Sequence, residues 1–93
     1  MHNRAKDGHP GMLRFRLRQL ISEFEFREQR RLSLAELAVA TGISRPTLSR
    51  IAGPKPFNTT TDNLDALCAF FGCRIEQLVE YVPAVQDKQA AVD

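Results

Sequence analysis

The sequence predicts one small all-α domain of five short helices, with at most a minor short strand near each end. Three observations predict it. Apolar residues recur at helical spacing through most of the chain. The segments that carry them are bounded by helix-starting Ser and Thr and by helix-ending Gly. The stretches left between them are short, as connections in compact helical domains are. A length of 93 residues suits a single domain.

The elements follow in order. Residues 1–11 (MHNRAKDGHPG) have no apolar periodicity and read as a disordered leader. The domain proper spans residues 12–83, and residues 84–93 read as a flexible tail. In Met12–Phe15 the apolar Leu13 and Phe15 alternate with Arg14 and Arg16, which is a strand period. A lone strand needs a partner. Val79–Val82, ending at Pro83, is one candidate, and the same segment of a second subunit is the other. From Leu17 the period changes to helical, with Leu17, Leu20, Ile21 and Phe24 on one face of a helix reaching about Gln29.

The second helix is marked at both ends. Ser33 and Glu36 have the spacing of a capping box, and Leu32 and Leu37 that of a hydrophobic staple. Leu34, Leu37, Ala38 and Thr41 face inward. Gly42 ends the helix, since a left-handed residue costs least in glycine. Ser44 caps the third helix, about Arg45–Ala52, with Ile43 and Leu48 as its staple. Pro46 then falls in the first turn, where helix N–H groups have no internal partner and a missing one costs little. Proline also pushes Arg45 away from helical angles, which would move the cap to Arg45. Gly53-Pro54-Lys55-Pro56 stops the helix. Thr60 or Thr61 starts the fourth, with Leu64, Leu67, Cys68 and Phe71 as its inward stripe and Gly72 at its end. Ile75, Leu78 and Val79 are the apolar side of a short fifth helix.

Composition narrows the function. No apolar run approaches the roughly 20 residues of a membrane helix, and the polar start is no secretory signal. A cytoplasmic location is the expectation. The only histidines, His2 and His9, lie in the leader, so no nucleophile–base pair is anchored in the domain and no enzyme is expected. Cys68 and Cys73 read as small buried thiols rather than metal ligands, and no cofactor or metal is expected. Charge is divided unevenly. Residues 1–61 carry 11 Lys/Arg against 5 Asp/Glu, and residues 62–93 carry 2 against 6. Ordinary surface charge also produces such a split, but a basic front half suits an anionic partner.

The third helix gives that partner a place. With Leu48 and Ile51 turned inward, the opposite face presents Pro46, Ser49 and Arg50, flanked by Arg45. Nothing acidic occurs between Glu36 and Asp62. Two capped helices joined by a turn at Gly42 make a helix-turn-helix unit, whose second helix fits the DNA major groove. Leu34–Ile51 (LAELAVATGISRPTLSRI) resembles the helix-turn-helix of phage-repressor proteins of the Cro or XRE type. The resemblance runs on through Asn63–Cys73 and Ile75–Pro83, covering about residues 13–83. Ala38, Gly42, Ile43, Leu48 and Ile51 all stand at the family's positions.

That resemblance implies a compact lambda-repressor-like domain that binds double-stranded operator DNA, commonly as a homodimer. It places Arg45, Pro46, Ser49 and Arg50 at base-facing positions, Ser44 and Thr47 near the phosphate backbone, and Lys55 and Asn58 against phosphate. Three features depart from the pattern. Leu34 stands where glutamine is frequent, Ala52-Gly53-Pro54 replaces a Glu-Asn-Gly loop, and the segment FEFREQRR before the second helix is longer than usual. The leading expectation is a sequence-specific transcription regulator, a repressor. The alternative is an antitoxin or adaptor on the same fold whose main partner is a protein.

Overall fold

A computed structural model describes residues 11–84; the expected disordered leader and flexible tail fall, apart from Gly11 and Ala84, outside them. The order is β1 (Met12–Phe15), α1 (Leu17–Glu28), α2 (Leu34–Thr41), α3 (Arg45–Ile51), α4 (Thr61–Phe71), α5 (Ile75–Leu78) and β2 (Val79–Val82). All five expected helices form. Both strands form as well.

Side chains at the helix fronts act as anticipated. Ser33, Ser44 and Thr60 each accept a hydrogen bond from the backbone N–H three residues on. Proline leaves the Ser44 cap in place, with Arg45 as the first helical residue. The left-handed conformations that end α2 and α4 are supplied by Gly42 (φ +80°) and Gly72 (φ +66°). The capping box of α2 is only half made. Ser33 Oγ accepts from the Glu36 N–H at 3.0 Å, but the Glu36 carboxylate turns outward to Arg30, at 2.9 Å. A guanidinium offers a charged, multiply donating partner that one backbone N–H cannot match.

The core is a layer of leucines and isoleucines shared by every helix. Leu17, Leu20, Leu37, Ile43, Leu48, Ile51, Leu67 and Leu78 are buried in one cluster. Complete burial of one such side chain contributes about 1.5–3 kcal/mol. At one flank the Phe24 ring of α1 lies 5.5 Å from that of Phe70 and 6.2 Å from that of Phe71, both of α4, whose own rings are 4.9 Å apart.

β1 and β2 pair antiparallel within the chain, Leu13 opposite Tyr81 and Phe15 opposite Val79. The pairing within one chain is the first of the two partners anticipated. A two-stranded sheet is marginal alone. Here Phe15 and Val79 pack against the core, and Glu80 lies 3.1 Å from Arg16 and 3.8 Å from Arg14. Val79 therefore belongs to β2 and not to the fifth helix, because Leu78 completes that helix's buried side and the chain turns extended at Val79. Ile75, expected on the apolar side, is half exposed. α5 is one turn long and buries only Leu78.

Candidate nucleic-acid interface

The α2–turn–α3 unit is held from behind. Leu37 of α2 and Leu48 and Ile51 of α3 are buried, and Ile43 in the turn is buried with them. Those contacts fix which side of α3 faces out. Ser44, Arg45, Pro46, Ser49 and Arg50 are all exposed, and Thr47 is half-buried. The face anticipated from helical spacing is the face observed.

Ser44 and Thr47 are bound to each other. The Thr47 N–H donates to Ser44 Oγ at 3.3 Å, and the Ser44 hydroxyl donates to Thr47 Oγ1 at 3.0 Å. This closes the front of α3 and sets the first turn that carries Arg45 and Pro46. The far end of α3 has a tie that sequence spacing does not reveal. Arg18 of α1 donates from Nε to the Ala52 carbonyl at 3.0 Å. A cation at a helix C-terminus satisfies a free carbonyl and complements the helix dipole.

Arg50 also has a partner that helical spacing does not show. Its guanidinium carbon lies 5.8 Å from the centre of the Phe57 ring, within cation–π range. Phe57 itself packs on the core. Arg50, Lys55 and Phe57 then line one concavity of about 370 Å³, together with Gly53, Pro54 and Pro56. Asn58 lines a separate hollow with Pro56, Phe57 and Met12 and Leu13 of β1. So the structure gathers Arg50 and Lys55 beside the exposed face of α3, and sets Asn58 apart, towards β1.

The charges divide into two groups. Arg14, Arg16, Arg27, Arg30, Arg31 and Arg74 each lie within 4 Å of a carboxylate. Arg18, Arg45, Arg50 and Lys55 make no ion pair among the described residues. An anion arriving at α3 thus meets cations that need not release an acid first. Arg45, Arg50 and Lys55 lie in the stretch between Glu36 and Asp62 that contains no acid. Among the described residues no group of three or more His, Cys, Asp or Glu is placed to hold a metal ion, and no helix is long and apolar enough to cross a membrane.

A buried helix-turn-helix that presents a cationic second helix is the geometry of a major-groove reader. The family model of Cro/C1-type helix-turn-helix DNA-binding domains matches residues 25–84. The chain belongs to that family. No curated protein and no solved structure matches it. The match takes in α2 to α5 and β2 and begins inside α1, so β1 and the first two thirds of α1 precede it. This Cro/C1-type domain is a DNA-binding one, and Arg18, which braces α3, comes from the part before the match.

Proposed function

We propose that the domain is a sequence-specific transcription regulator, acting as a repressor, that binds operator DNA as a homodimer. The single observation that carries this is the exposed face of α3, with Arg45, Ser49 and Arg50 outward and without acidic partners. Arg50 is the main base reader, through paired hydrogen bonds to guanine, a contact worth about 1–3 kcal/mol of discrimination. Arg45 and Ser49 face neighbouring bases, and Pro46 shapes the helix front that enters the groove. Ser44 and Thr47 lie against the phosphate backbone beside the helix start. Lys55 and Asn58 meet phosphates on the loop side. The assignment as a repressor rests on the likeness of Leu34–Ile51 to phage repressors. The dimer rests on the modest size of the core and on family habit. Its half-sites lie one helical turn apart, on the order of 34 Å. The protein works in the cytoplasm, at the nucleoid.

A second reading, an antitoxin or adaptor with a protein partner, is favoured by one feature. Leu13 and Tyr81 stand opposite each other on the two-stranded sheet and are 54% and 58% exposed. Selection from a pool of random duplexes at low and moderate salt separates the two. An enriched palindrome supports the dimeric regulator. Weak binding with no enriched sequence supports the protein partner.

A further inference from the structure

Cys68 and Cys73, expected as buried thiols, are both only half-buried. The reason is the turn that ends α4. Gly72 takes the left-handed conformation, and the N–H groups of Gly72 and Cys73 both donate to the Cys68 carbonyl, at 2.8 and 3.1 Å. A helix end of this type brings the side chains of its first and last residues together. Here both are cysteines. They open on one groove of about 450 Å³, lined also by Thr61, Leu64, Asp65 and Ile75.

We propose that Cys68 and Cys73 form a two-thiolate site for a soft monovalent metal ion, with Cu(I) as the matching chemistry. Thiolates select soft ions. A structural zinc site needs four ligands, and no third ligand is gathered here among the described residues. A monovalent d10 ion is content with two sulfurs. Asp65 adds a negative charge to the groove, which favours a cation over an anion. On binding, the ion forms two metal–sulfur bonds and the two thiols release two protons. No electron moves, so no oxidant is needed. A disulfide would need one. The bound ion bridges the end of α4 to the segment that starts α5. The site is remote from α3 in sequence and does not depend on DNA binding.

The test is competition. Fully reduced protein is titrated into the coloured Cu(I) complex of bathocuproine disulfonate. The wild type should withdraw one ion per chain, and Cys68→Ala and Cys73→Ala should each leave the chelate intact, since a lone thiolate cannot complete the two-sulfur site. Circular dichroism checks that both variants stay folded. X-ray absorption on the wild-type complex gives a readout independent of the variants and should show two sulfur neighbours alone. The proposal is overturned if the wild type leaves the chelate intact or if either variant competes as well as the wild type. Nitrogen or oxygen neighbours, or a complex found only as a two-chain species, overturn it too.

Discussion

Arg50 and Lys55 reach the same concavity from different elements, and the difference should show in what each does. Arg50 is carried on a helix braced by buried Leu48 and Ile51, and its guanidinium rests on Phe57. Lys55 lies in the loop, exposed and without such a rest. A loop lysine meets phosphate as a point charge and carries no sequence information. Replacing Lys55 with alanine should weaken binding to all duplexes alike. It should also lower the slope of log affinity against log salt by about one. Titrations at several salt concentrations check both. A changed base preference would mean that Lys55 touches a base. Of this site, the outward residues of α3 were legible in the sequence, because a helix of known start has a known face. Phe57 and Arg18 were not. Their contacts with Arg50 and Ala52 span 7 and 34 residues, and no local pattern encodes a contact that only the packed fold creates.

At the scale of elements, helix ends were the most legible feature wherever a side chain or glycine marks them. Gly42 is the clearest case. An added Cβ there would meet nothing within 4 Å, so φ +80° alone sets its cost. Gly42→Ala should destabilise the domain by about 1–2 kcal/mol, read from urea unfolding. No loss would show that the turn can relax. α1 ends without a glycine, on Gln29 at φ 55°, so its helical spacing alone carries the expected helix one residue past Glu28. Glu36 illustrates the converse. Its spacing from Ser33 was read correctly, but its carboxylate goes to Arg30, which holds it below the ordinary carboxylate value. A lowered folded value means that the pair's contribution is present above the unfolded carboxyl value. It fades as pH falls through the folded one. Stability of Glu36→Gln should therefore vary less between neutral pH and about pH 3 than that of the wild type. Equal pH dependence in the two would remove the bridge from the account.

For the molecule as a whole, the five helices were legible because one apolar stripe per helix suffices to build one core. The pairing of the strands was not. Met12–Phe15 shows a strand period, yet nothing in it distinguishes an internal partner from a second copy. The choice falls out of where α1 and α5 bring the chain ends, beside each other at Arg16 and Leu78, whose N–H and carbonyl bond at 2.8 Å. Buried Leu48 and Ile51 leave α3 as the outward cationic helix, and the central claim is that this helix reads base sequence. Selection from random duplexes, run side by side with wild type and Arg50→Ala, tests it most directly. The account predicts a shared palindrome in which one guanine position per half-site becomes degenerate in the variant while the rest persist. An unchanged motif, or no motif with either protein, would contradict it.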